Sequence, residues 1–127
     1  MSMDRFVVRE SSPLTLDEVT RALETLRPVP GLSFAPLPGE GQWIVSIDGV
    51  ELVNITFAPP EETQEFGTIV LFNSHRTSYF WNVALSNKLA RALGATIFDE
   101  GEFEDPPSSE EIDRHLAGLL REFREPQ

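Results

Sequence analysis

The chain contains no cysteine, so its 127 residues offer no disulfide, no thiolate ligand and no thiolate nucleophile. Stability has to come from packing, and the absence fits a reducing compartment. The two histidines, His75 and His115, are too few to build a structural zinc site without thiolates. Long apolar runs are missing as well: the best, Thr68 to Phe72, is short and bounded by polar residues, far from the roughly 20 apolar residues of a membrane span. Residues Met1 to Arg5 lack the basic, apolar and small-residue order of a secretory signal, and a cytoplasmic location is the expectation. Basic residues are scarce: 10 stand against 21 acidic ones, a net charge of −11, and none lies between Arg27 and Arg76. Such a balance repels phosphate backbones and anionic lipids, which argues against nucleic-acid and membrane-surface partners and in favour of a basic protein partner. The same charge also serves plain solubility.

What is present is enough to bury a core, with 40% hydrophobic residues in a length suited to a single domain spanning 1–127. Arg5 to Arg9 alternates, with Phe6 and Val8 on one side, as a short strand does. Thr15 and Glu18 form a capping box after Pro13, and Leu14 can staple onto Val19, which predicts a helix to about Leu26 with Leu16, Val19, Ala22, Leu23 and Leu26 on its apolar face. Pro28, Pro30 and Gly31 end it. Leu32 to Leu37 reads as a strand with Phe34 inward, followed by a turn at Pro38 to Gly41. The clearest strand signal is Trp43 to Ile47, joined through Asp48-Gly49 to a returning strand, Val50 to Phe57, with a bulge expected at Leu52-Val53. Ala58 to Glu65 reads as a proline-bearing polar loop. Phe66 to Asn73 is apolar enough to lie centrally in a sheet.

Thr77 or Ser78 can cap a second helix carrying a stripe of Trp81, Leu85, Leu89, Ala92 and Leu93, closed by Gly94 in a left-handed conformation. Ala95 to Phe98 reads as a short strand, and Asp99 to Pro107 as an acidic loop. Ser108 with Glu111 opens a third helix along Ile112, Leu116, Leu119, Leu120 and Phe123, whose last turn holds Arg121 and Arg124. The order β-α-β-β-β-β-α-β-α predicts a two-layer α+β domain: a mainly antiparallel sheet with about three helices on one side.

Chemistry-bearing patterns are sparse. Asn73 to Ser78 joins a central strand to a helix, a place where ligands often bind. A nucleophilic Ser74 would need His75 as its base, yet neighbours in sequence rarely face each other and no elbow glycines flank them, so a capped connection is favoured over a small enzyme site at the His75 and Arg76 loop. The acidic run Asp99 to Asp105 lacks the spacing of a calcium loop and ends in two prolines. Gly39 and Gly41 lack the lysine of a phosphate loop. His115, next to core-facing Leu116, reads as a boundary residue. No cofactor, metal ligand set or catalytic residue is expected.

The segment Leu89 to Phe103, a helix closed by glycine, a short strand and an acidic turn, resembles a pattern in small bacterial α+β proteins that include immunity proteins of secreted toxins. The resemblance implies a non-enzymatic inhibitor that caps a toxin through a charged interface. Size and acidity also resemble type III-like secretion chaperones, although those begin with a helix and this chain with a strand. Residues assigned to partner binding are the carboxylates Glu61, Glu62, Glu65, Asp99, Glu100, Glu102, Glu104 and Asp105, with Tyr79 and Phe80 as aromatic anchors. Trp43 and Trp81 are assigned to the core.

Overall fold

A computed structural model describes residues 4–9, 12–39, 41–58, 68–73 and 78–125, with only the backbone at 68–70 and 72–73. The elements among the described residues, in chain order, are β1 (Arg5–Val8), α1 (Leu16–Glu24), β2 (Leu32–Pro36), β3 (Gln42–Ile47), β4 (Val50–Ala58), β5 (Thr68–Asn73), α2 (Tyr79–Leu93), β6 (Thr96–Asp99), β7 (Glu102–Glu104) and α3 (Ser109–Arg124). This is the expected α+β order with one strand added, β7, in what reads as an acidic loop. Seven strands form one antiparallel sheet in the order β2-β3-β4-β5-β1-β6-β7, which puts β5 at its centre. The helices gather on one face.

Local chemistry explains most boundaries. Thr15 accepts the Glu18 N–H at 3.2 Å to start α1, and Leu14 and Val19 are both fully buried where the staple was expected. The Glu18 carboxylate turns to Arg9 (2.7 Å) and also accepts from the Thr15 hydroxyl (3.1 Å). Ser108 caps α3 by the same device at 3.2 Å. Gly94 closes α2 at φ 62°, a conformation that costs glycine little. Ser78 departs from expectation: its hydroxyl makes no cap bond and donates instead to the Leu52 carbonyl, tying the start of α2 to β4.

Asp48 and Gly49 adopt positive φ and join β3 to β4. The register passes from Val45↔Val53 to Ser46↔Glu51, so Leu52 is the extra residue of a bulge and both Leu52 and Val53 are buried. In β1 the core-facing residues are Arg5 and Val7; Phe6 and Val8 lie on the opposite face. Periodicity separates two faces but does not say which is inward.

Helix α2 is buried on several sides, beneath β1, β4, β5 and β6 and between α1 and α3. Trp81, Leu85, Leu89 and Leu93 are buried as expected, whereas Ala92 is exposed and faces a cleft between helices. Trp81 meets Phe123 of α3 edge-to-face at 6.1 Å. Arg124, the next residue, anchors the same end of α3 with two bonds to Asp48 and one to the Pro30 carbonyl. Gly31, at φ +79°, leaves room for that anchor, since a Cβ there would collide with both Arg124 and Asp48.

The Arg9 pair makes stability depend on pH in a known direction. The Arg9 guanidinium, with help from Thr15, pulls the Glu18 carboxyl from its ordinary 4.5 to about 2. Because the folded-state value is the lower one, the pair stabilises fully above about 4.5 and loses its contribution as pH falls toward about 2. Thermal melts should show Glu18→Gln below the parent at neutral pH, with the gap closing in that acid window. A gap of constant size down to the lower limit would assign Glu18 a purely steric role.

Candidate interaction surface

Asp99 and Glu102 flank a two-residue turn in which Glu100 and Gly101 have φ of 51° and 82°, so β6 and β7 form a tight hairpin. Its root is an internal ion pair. Arg5 is only 4% exposed, and its donors reach Asp99 Oδ2 at 2.7 Å, Ser86 Oγ at 2.8 Å and Asn87 Oδ1 at 3.4 Å, with Glu104 Oε1 at 3.9 Å. A buried guanidinium requires such a set of acceptors. Asp99 thus faces inward on Arg5, behind the exposed rim. Glu100, Glu102, Glu104 and Asp105 are exposed, and Glu110 and Glu111 extend the negative surface onto the first turn of α3.

On the sheet face away from the helices, register aligns Phe6, Phe98 and Phe103 across β1, β6 and β7. Ring centroids are 6.1 Å apart for Phe6 and Phe98, and 5.0 Å for Phe98 and Phe103, both edge-to-face. Phe103 remains 57% exposed. No strand lies beyond β7 among the described residues. In a hairpin closed by two residues, Asp99 and Glu102 exchange both backbone bonds, so by alternation Phe103 turns its N–H and C=O away from β6. The sheet edge therefore offers one donor and one acceptor beside an exposed ring, with Glu102 and Glu104 pointing to the other face.

The opposite edge is less open to pairing. Pro36 removes a donor from β2, and Arg27 stacks over Phe34 at 4.5 Å.

Of the other residues assigned to partner binding, Tyr79 is half-buried and Phe80 is 60% exposed at the start of α2, their rings 5.7 Å apart. Glu61, Glu62 and Glu65 lie outside the described residues, as do Ser74, His75, Arg76 and Thr77. His115 is half-buried on α3. Among the described residues no group of three or more metal-ligating side chains converges, and no helix is long and apolar enough to cross a membrane. Two adjoining clefts, of about 330 and 230 Å³, lie between the helices and are lined by Lys88, Arg91, Arg9 and Arg21 among others. Sequence reading gives no sign of this grouping, because its cations come from β1's end, α1 and α2.

Comparison with protein-family models, curated proteins and solved structures finds no match to the chain.

Proposed function

We propose that this chain is a non-enzymatic, cytoplasmic binding protein, an immunity- or antitoxin-like inhibitor that engages a basic polypeptide through the β6–β7 hairpin. The observation that carries the reading is the pairing, on one edge strand, of carboxylates with an exposed aromatic ring: Glu102 and Glu104 on one face and Phe103 on the other. Charge supplies long-range attraction, and the ring supplies apolar area at the contact. A second copy of the chain is a poor occupant, since each copy carries −11. An extended segment laid along β7 would place an apolar residue opposite Phe103 and basic residues opposite Glu102 and Glu104, so the favoured partner sequence alternates basic and apolar residues.

The test is association kinetics. A tagged copy retrieved from its native cells should carry a cationic protein whose association rate falls steeply with added salt. Neutralising the rim with Glu100→Gln, Glu102→Gln and Asp105→Asn should slow association about tenfold or more and flatten the salt dependence, while dissociation changes less. Absence of a cationic partner, or a rate indifferent to salt, would remove the proposal.

A further inference from the structure

We infer that the groove between α1, α2 and the start of α3 binds a small phosphorylated molecule with two or more anionic groups. The acidic chain holds 10 basic residues, and four of them, Arg9, Arg21, Lys88 and Arg91, line the two clefts, which share Thr25 and Ala92 as a common wall. Among the described residues only two carboxylates line them, Glu18 and Asp113. Both are already engaged, Glu18 by Arg9 at 2.7 Å and Asp113 by Lys88 at 3.4 Å.

The four cations are not equivalent. Arg9 is spent: its donors go to Glu18 and to the carbonyls of Ser12, Pro13 and Leu93, so it is part of the wall. Arg21 makes no hydrogen bond or ion pair among the described residues. Lys88 reaches an exposed carboxylate across a long 3.4 Å contact. Arg91 reaches only neutral acceptors, Ser109 Oγ at 3.3 Å and the Pro107 carbonyl at 3.5 Å, at the weak limit of hydrogen bonding. Three cations thus flank one groove with little to neutralise them among the described residues, in a chain rich in carboxylates.

An oxyanion occupant would replace those long contacts with short charge-assisted bonds and relieve repulsion among the cations. Guanidinium forks match the oxygens of a phosphate, and a phosphate brings more charge and more acceptors than a carboxylate. Multiple charges are needed because the net charge of −11 opposes the approach of any anion. The larger cleft, about 330 Å³, is at the small end of ligand sites, which excludes a nucleic-acid strand and suits a small molecule. Thr25 and Ser109 add hydroxyls where an apolar ligand would want hydrocarbon.

The test is a calorimetric titration of the full chain at low ionic strength, with pyrophosphate as the probe and inorganic phosphate and citrate as comparisons. Expected are saturable 1:1 binding of pyrophosphate, at least tenfold weaker binding of phosphate and of citrate, and a rise in Tm with pyrophosphate. Arg91→Gln and Arg21→Gln should each weaken pyrophosphate binding about tenfold or more without lowering the Tm of the free protein, because neither side chain holds the fold together. Arg121→Gln, about 18 Å from Ser109 along α3, should bind as the parent does. Absence of saturable binding, or equal losses in all three variants, would overturn the inference. Citrate binding tighter than pyrophosphate would overturn the phosphate assignment.

Discussion

Replacing Arg5 by alanine should cost about 3–5 kcal/mol, enough to lower the Tm by roughly 10–20 °C. The residue is 4% exposed, and its guanidinium neutralises Asp99, whose side chain is only 13% exposed. Truncation leaves a mostly buried carboxylate without its cation and strips Ser86 and Asn87 of a donor in the layer between sheet and helix. The cost comes mainly from the orphaned partner, so a second change should recover part of it. Arg5→Met combined with Asp99→Asn should be less destabilised than the sum of the single variants by about 1–3 kcal/mol. Urea melts of the four proteins measure this. Additivity to within about 0.5 kcal/mol would mean that the two side chains do not act as a pair.

The same variants separate the hairpin's support from its surface. Arg5 and Asp99 fix the root of β6–β7, while Glu100, Glu102 and Asp105 remain outside it. A change at the root should reduce stability, and a change at the rim should leave stability nearly unchanged, since exposed charges contribute little to folding. If the rim variants slow partner association with an unchanged Tm, attraction is an effect of surface charge and not of a loosened fold.

How much of this was legible in the sequence follows from how local each signal is. Thr15 with Glu18, Ser108 with Glu111, Asp48-Gly49 and Gly94 act on neighbours a few residues away, and each is found where its chemistry placed it. The Leu52 bulge was legible because two adjacent apolar residues break a period of two. Strand β7 was not, because Glu102-Phe103-Glu104 is an exposed edge with a single apolar residue and no run to reveal alternation. Its turn gave the one available hint, an acidic residue before Gly101, the same device as Asp48-Gly49. Arg5 as a core residue was out of reach: its acceptors Ser86, Asn87 and Asp99 stand 81, 82 and 94 residues away, and only the folded sheet delivers them. The cation-lined groove was hidden for the same reason, since Arg21 and Arg91 meet its shared wall from different helices.

Trp81→Ala should be comparably damaging, at about 3–5 kcal/mol, but its effect should concentrate in one part of the molecule. Trp81 is 4% exposed and sits near the start of α2, where its ring meets Phe123 near the end of α3. Helix α3 itself buries only Ile112, Leu116 and Leu120. Its polar attachments are the exposed bonds of Arg124 to Asp48 and to the Pro30 carbonyl, and the long contacts of Lys88 with Asp113 and of Arg91 with Ser109. Exposed pairs of that kind contribute little, so the aromatic contact and the three buried side chains hold the helix down. Without the indole, backbone amides of α3 should exchange with solvent faster than those of β3, β4 and β5, which keep their ladder. Because Ser109 and Ile112 form one wall of the groove between the helices, any stabilisation by pyrophosphate should disappear in the same variant. Hydrogen exchange read by residue, with and without pyrophosphate, checks both effects. Uniform loss of protection through sheet and helix alike would show that Trp81 supports the whole core, with no special hold on α3.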